Sequence, residues 1–110
     1  MPVTPSAIIE PIVAANAQTT QYTSTGATTI IDKFTVRNLS GVAATISIYL
    51  VQSGTAASTT NLVISRNIQA GETYTCPEVV GHVLEAGDFI STLASAAASI
   101  AMRASGRVIT

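Results

Sequence analysis

The chain has 110 residues, of which 47% are hydrophobic and only 10% are charged, and its net charge is −1. This length is typical of a single domain with one modest core. Ordinary soluble domains contain about 25% charged residues, so the low value predicts that partner subunits cover part of the surface. The basic residues are few and scattered along the sequence, which argues against nucleic-acid binding. They are Lys33, Arg37, Arg66, Arg103 and Arg107.

Cys76 is the single cysteine, which excludes an intrachain disulfide. No basic segment followed by an apolar segment stands near Met1, so we expect no secretory signal. The longest apolar stretch, residues 93–102, contains Ser95 and Ser99 and is too short to cross a bilayer. These features predict synthesis in a reducing cytoplasm and no membrane partner.

Residues 1–17 are predicted to form an extended N-terminal arm, followed by a single β-sandwich domain over residues 18–110. Three prolines forbid a regular helix in the arm and disfavour a central strand. They are Pro2, Pro5 and Pro11. Disordered tails are usually polar, whereas this segment carries four large apolar residues, which we take as candidate assembly contacts. They are Ile8, Ile9, Ile12 and Val13.

From Thr19 onward, alternating polar and apolar residues rich in Thr, Val and Ile predict short strands. Residues 29–37 and 42–50 alternate most clearly, and the turn at 38–41 between them predicts a long antiparallel hairpin with Gly41 available for a positive φ. Gly71 and Gly87 are predicted to be left-handed turn residues. The Ala-rich segment 94–101 is predicted to be a second hairpin, although alanine also favours helix.

Seven or eight such strands predict an all-β, antiparallel sandwich of immunoglobulin-like or jelly-roll topology. At most one helical turn is expected, within residues 77–84. Pro77 should end a strand and hold Cys76 extended. The predicted core consists of the apolar faces of these strands: Phe34, Val36, Ile46, Ile48, Leu50, Leu62, Ile64, Ile90, Ile100 and Met102.

The sequence has no nucleophile elbow, phosphate-binding loop or paired-cysteine zinc motif. Cys76 and His82 could form a nucleophile and base, but a third orienting group is not evident and a small buried cysteine is the favoured interpretation. Asp32 shares a predicted strand face with Ile30 and Phe34, where contact with solvent or an arginine is more common than function.

Carboxylates and the histidine are densest in residues 78–88. The spacing of His82, Glu78, Glu85 and Asp88 matches neither a calcium loop nor a zinc site, and a solvated acidic loop is favoured. Glu85 and Asp88 could be a glycosidase pair, but tryptophan is absent. The triplet at Asn38 formally matches a glycosylation acceptor and is interpreted as a turn. We expect no enzyme activity, cofactor or metal.

Five stretches carry a pattern of strands and turns: IDKFTVRN at 31–38, ATISIYLV at 44–51, IQAGETYTCPE at 68–78, LEAGD at 84–88 and ASG at 104–106. Together they resemble small β-sandwich proteins encoded among the structural genes of tailed bacteriophages. The resemblance covers about residues 29–110 and leaves out the arm.

The resemblance implies a non-enzymatic virion protein that decorates or cements the capsid in many copies, in contact with capsid or other virion proteins. A tail, neck or fibre subunit is the alternative, and a module that binds the host surface is a further one. The family offers no catalytic residues to transfer. The exposed loop at 52–60 lacks the aromatic residues expected of a binding module.

Overall fold

The computed structural model describes residues 2–110, and this part of the chain contains strands, turns and bends but no helix. The predicted all-β antiparallel class is therefore confirmed. Residues 77–81 form a hydrogen-bonded turn and no more. The nine strands are β1 (Val3–Val13), β2 (Thr19–Thr23), β3 (Thr28–Asn38), β4 (Ala44–Val51), β5 (Leu62–Ile68), β6 (Thr73–Tyr74), β7 (Val83–Leu84), β8 (Phe89–Ala94) and β9 (Ile100–Ile109).

The strands form two antiparallel sheets. The first sheet has the order β1-β9-β3-β6, and β7 also pairs with β3; the second sheet has the order β2-β8-β4-β5. The chain passes between the sheets at most of its connections, and the first and last strands are neighbours in one sheet. This is the strand order of a jelly roll, one of the two topologies that the periodicity left open.

The two predicted hairpins are wrong, because the strands on either side of each turn lie in different sheets. β3 belongs to the first sheet and β4 to the second, and the turn at 39–43 between them is a corner of the sandwich. The Ala-rich segment likewise carries the chain from β8 in the second sheet to β9 in the first. Of the consecutive strands, β4 and β5 do pair as a hairpin.

The predicted domain boundary at residue 18 is also wrong, because β1 is a full edge strand of the first sheet. It pairs antiparallel with β9 from Val3↔Ile109 to Val13↔Ala101, with two interruptions of the register. Ile8 and Ile9 are 6% and 3% exposed and belong to the core. Prolines are tolerated on an edge strand, because the missing N–H groups need not face a second neighbour.

The core lies between the two sheets, and eight of the ten predicted core residues are buried there. Leu50 and Leu62 are only half-buried. A register shift after Ile48 breaks the alternation between β4 and β5, so Val51 takes the buried position instead. A second irregularity in β3, between Ile31 and Lys33, buries Ile31 in place of Ile30 and turns Asp32 outward.

The side chain of Asn38 stabilises the corner between β3 and β4 through hydrogen bonds. Its side chain is fully buried, and its amide Nδ2 donates to the carbonyl oxygens of Val42 at 2.7 Å and Ile68 at 2.9 Å. Its Oδ1 accepts from the backbone N–H and hydroxyl of Ser40 at 2.9 and 2.7 Å. All its hydrogen-bonding capacity is used inside the fold, in agreement with a turn rather than a glycosylation acceptor.

Candidate assembly surfaces

Cys76 is fully buried and adopts a left-handed backbone conformation with φ 48°, so the prediction of an extended residue before Pro77 is wrong. Its carbonyl oxygen accepts from the N–H groups of Val79 and Val80, which closes the turn that follows. Burial, and to a lesser degree the carboxylate of Glu78, raise the pKa of the thiol to about 12. The thiolate is the reactive form, so a neutral thiol here fits the structural interpretation of this residue.

We expect Cys76 to resist alkylation in the folded protein at pH 8 and to react fully in urea. Its labelling by iodoacetamide should be followed by mass spectrometry. A matched control is Cys76→Ala with Ser65→Cys, which places the thiol at an exposed position of β5. The control should be labelled rapidly without denaturant. Equal rates for the two proteins would show that Cys76 is accessible and would reopen its role as a nucleophile.

Glu78 takes part in a surface cluster that joins the two sheets. The hydroxyl of Tyr74 donates to both carboxylate oxygens of Glu78, at 2.6 and 2.7 Å. This hydrogen bond lowers the pKa of Glu78 and raises that of Tyr74. The guanidinium carbon of Arg66, on β5, lies 4.1 Å from the centre of the Tyr74 ring. Arg66 and Tyr74 therefore form a cation–π contact between β5 and β6.

The other predicted ligand candidates do not converge. Asp88 caps the loops at one end of the sandwich, where its two carboxylate oxygens accept from the backbone N–H groups of Ser53 and Glu85, both at 3.0 Å. The side chain of His82 is exposed, and its backbone carbonyl oxygen accepts a hydrogen bond from the N–H of Ile31. Within residues 2–110, no three His, Cys, Asp or Glu side chains are grouped so as to hold a metal ion.

A cleft of about 510 Å³ opens between the loop at 52–61 and the segment 82–84. His82 and Asp88 both line it, but the carboxylate of Asp88 already accepts two backbone hydrogen bonds. The rest of the lining consists of uncharged polar side chains and aliphatic ones. The carboxylate of Asp88 is thus held by backbone N–H groups, and its hydrogen bonds do not involve the ring of His82.

Asp32 forms a bidentate ion pair with Arg107 of the neighbouring strand β9. The distances from Nε and one terminal nitrogen of Arg107 to the carboxylate oxygens are 3.0 to 3.2 Å. The hydrogen bonds to Asp32 raise the pKa of Arg107. Both side chains are about half exposed, so the pair contributes little to stability and agrees with the expected contact to an arginine.

The four apolar residues proposed as assembly contacts divide into two pairs. Ile8 and Ile9 are buried in the chain's own core, whereas Ile12 and Val13 are 45% and 43% exposed. β1 is the last strand of the first sheet, so its outer edge has no strand to pair with inside the chain. Backbone N–H and C=O groups that lack a partner at a sheet edge, next to exposed apolar side chains, favour contact with another polypeptide. Ile12 and Val13 therefore remain candidate contacts.

Four of the five basic residues meet on the outer side of the first sheet, although they are scattered in the sequence. Lys33 and Arg37 point outward from β3, and Arg103 and Arg107 from β9. We call these four residues the basic face. Lys33 and Arg103 line one shallow depression of about 230 Å³ with Thr35 and Ser105. The alternation of the basic residues was visible in the sequence, but the pairing of β3 with β9 was not.

No family model matches the sequence, and no curated protein does. Among solved structures, the chain is similar to a protein from the work described as "Bacillus endospore appendages form a novel family of disulfide-linked pili", with a TM-score of 0.55 and 16% identity. The match covers 98% of this chain and 88% of that one. At this identity the likeness shows a shared fold. The described part of the chain has no helix long and apolar enough to span a bilayer.

Proposed function

We propose that this chain is a non-enzymatic structural subunit that acts in many copies as part of a larger assembly. The observation that carries the proposal is the open edge of β1, where Ile12 and Val13 are exposed beside an unpaired row of backbone groups. Natural sheets protect such edges with charges, prolines, bulges or a covering segment. β1 carries one charged residue, Glu10, and its two prolines and two register interruptions all precede Ile12 and Val13. These last two residues are therefore the part of the edge that is offered to a partner.

Within this class, the sequence resemblance supports a virion protein that decorates or cements a phage capsid, with the tail, neck or fibre as the alternative. A domain of 45 × 26 × 19 Å is flat and exposes two broad sheet faces. Its low charge content suits a subunit whose faces are covered by neighbours. Localisation in a virion, after synthesis in the host cytoplasm, follows from the same proposal.

A subunit of a surface appendage is the second candidate, and the shared fold with the Bacillus pilus protein favours it. The disulfide linkage described for those pili would not extend to this chain in its folded form. Cys76 is its only cysteine and is fully buried with a neutral thiol. Copies of this chain would therefore associate without covalent links.

The proposal is tested by the self-association of the purified full-length protein. We expect sedimentation velocity to show species larger than a monomer as the concentration rises, and negative-stain images to show their form. Filaments would favour a tail or appendage subunit, and small closed oligomers would favour a capsid-decorating one. Ile12→Ser with Val13→Ser should weaken association at least about tenfold, which is about 1.4 kcal/mol.

A matched control places the same change far from the β1 edge. Val42→Ser alters a residue that is 69% exposed at the corner between β3 and β4 and should leave association unchanged. A protein that remains monomeric at every concentration, and that binds no phage capsid isolated from its host, would contradict the proposal.

A further inference from the structure

Three residues of the basic face meet around Thr35, on the outer side of the first sheet. In the pairing of β3 with β9, Arg103 lies opposite Thr35, midway between Lys33 and Arg37. Arg103 is therefore a diagonal cross-strand neighbour of both, at a distance of about 7–8 Å that long side chains can span. All three basic residues are exposed. The pairing of the two strands thus brings three positive charges into one small area.

The carboxylates near this area leave the three charges unpaired. Asp32 is held by Arg107, and this is the one ion pair within 4.0 Å among residues 2–110. Glu10 is exposed and lies on β1 where the second register interruption faces Arg103. Its carboxylate reduces the positive potential there, but it forms no ion pair within that distance. The area therefore keeps an excess of positive charge that an external anion could meet.

Hydroxyl groups accompany the charges in the shallow depression between Lys33 and Arg103. The depression has a volume of about 230 Å³, and Thr35 and Ser105 line it beside the two basic residues. Ammonium, guanidinium and hydroxyl groups all donate hydrogen bonds, and those from charged donors to phosphate oxygens are among the strong ones in proteins. Within residues 2–110, no aromatic or acidic side chain lines this depression. Its chemistry suits a compact anion with several oxygen atoms.

The unpaired charges are a cost to the fold. Like charges on neighbouring strands repel each other and destabilise a sheet, and salt at physiological concentration screens exposed charges over distances of about 8 Å, so neighbours this close still interact. Binding sites are where proteins keep groups that lower their stability. A bound anion would replace the repulsion by attraction, so its binding should be visible as a gain in stability.

We infer that this depression is a binding site for an oxyanion, namely a phosphate or sulfate group. Lys33 and Arg103 contact the anion, Thr35 and Ser105 donate hydroxyl hydrogen bonds to its oxygen atoms, and Arg37 adds a third positive charge at the rim. Because the depression is shallow, the group can be a free ion or part of a polysaccharide, which presents the same oxygen atoms. The inference concerns the outer side of the first sheet and is independent of the contact proposed for the β1 edge.

A nucleic acid is a less favoured source of the phosphate groups. Proteins that bind single strands stack bases on aromatic side chains, and the outward positions of β3 and β9 carry none. A protein that binds duplex DNA through its backbone contacts about six to ten phosphates, whereas three unpaired charges lie here. This number of charges fits a single oxyanion group better.

The first test is thermal unfolding of the full-length protein in a low-salt buffer without phosphate. Added phosphate should raise the Tm of the wild type more than sodium chloride of the same ionic strength, because a ligand that binds the folded state stabilises it by mass action. Lys33→Gln with Arg103→Gln should abolish this difference, which separates binding from the general stabilising effect of phosphate on proteins. The control Arg66→Gln removes a basic residue outside the basic face and should keep the difference, although its contact with Tyr74 is lost.

The second test measures binding of heparin, a sulfated polysaccharide, by isothermal titration calorimetry. The double variant should bind at least about tenfold more weakly than the wild type, because two of the three charges are lost. Glu10→Gln should bind more tightly than the wild type, because it removes the carboxylate beside Arg103. Raising the sodium chloride concentration from about 50 to about 500 mM should weaken binding through screening. Circular dichroism must show that each variant is folded.

The results identify the source of the group or overturn the inference. A phosphate effect without heparin binding identifies a free ion, and heparin binding that the double variant loses identifies a group on a polymer. If the wild type and the double variant respond equally, or neither responds, the inference is overturned. It is also overturned if only a short DNA duplex binds and the double variant loses that binding. None of these measurements depends on self-association, so the proposed function is decided separately.

Discussion

Deletion of residues 2–13 is expected to abolish cooperative folding. β1 contributes Ile8 and Ile9 to the core, and burying one isoleucine side chain is worth about 1.5–3 kcal/mol. The deletion also removes the hydrogen bonds to β9 and exposes Met102 and Ala104, which lie next to β1 in the register. The combined loss is comparable with the 5–15 kcal/mol stability of a typical domain. Urea unfolding followed by circular dichroism should show no sharp transition.

Two point variants separate the core residues of β1 from its exposed ones. Ile9→Ala should cost about 2–5 kcal/mol, through lost burial and an unfilled cavity. Ile12→Ala, on the same strand but 45% exposed, should cost much less. A truncated protein that unfolds at the wild-type urea concentration would show that β1 is a detachable arm, as the sequence predicted. Restored folding on adding a peptide of residues 1–17 would confirm that the segment acts as a strand.

The fold class followed from the sequence because period-two alternation is a local property. β3, β4 and β9 each contain six or more residues that alternate between buried and more exposed positions, and most of their inward side chains were identified. Leu50 and Ile30 were misplaced because each lies beside an irregularity of the register. One extra residue in a strand reverses the facing of every residue that follows it, and nothing in the amino-acid order marks where this occurs.

Pairing was harder to predict than strand content, because it depends on contacts between distant residues. The turns at 39–43 and 95–99 have the composition of hairpin turns, yet each leads from one sheet to the other. The burial of apolar surface decides which sheet each strand joins, because both neighbouring strands have an apolar face that must be covered. The prolines of β1 suggested an arm, and only its pairing with β9 shows that they lie on an edge.

The candidate surfaces were partly visible in the sequence. The outward alternation of Lys33 with Arg37, and of Arg103 with Arg107, was readable as two separate patterns. Their union on one face required β3 and β9 to be neighbours, although some 70 residues separate Lys33 from Arg103. The division of the β1 residues into buried Ile8 and Ile9 and exposed Ile12 and Val13 also required the register with β9.

Gly106→Ala is expected to destabilise the fold by about 3 kcal/mol or more, at the upper end of the cost of overpacking. Gly106 lies in β9, the strand between β1 and β3, opposite Ser6 on one side and Ile31 on the other. A Cβ atom at this position would overlap the carbonyl oxygen of Ile30, and the carbon of that carbonyl would be 3.2 Å away. Backbone atoms in a paired strand cannot move aside as the end of a flexible side chain can.

The overlap would occur next to Asp32, the extra residue in β3. Because Gly106 has no side chain, the backbones of β3 and β9 can approach each other closely there. Gly41→Ala is the matched control. Gly41 has no positive φ, contrary to the possibility raised from its sequence, and no atom lies within 4 Å of a Cβ there. That variant should change stability by less than about 0.5 kcal/mol, or raise it slightly by restricting the unfolded chain. Chemical denaturation of both variants measures the difference, and equal midpoints would show that β3 and β9 are not held at this separation.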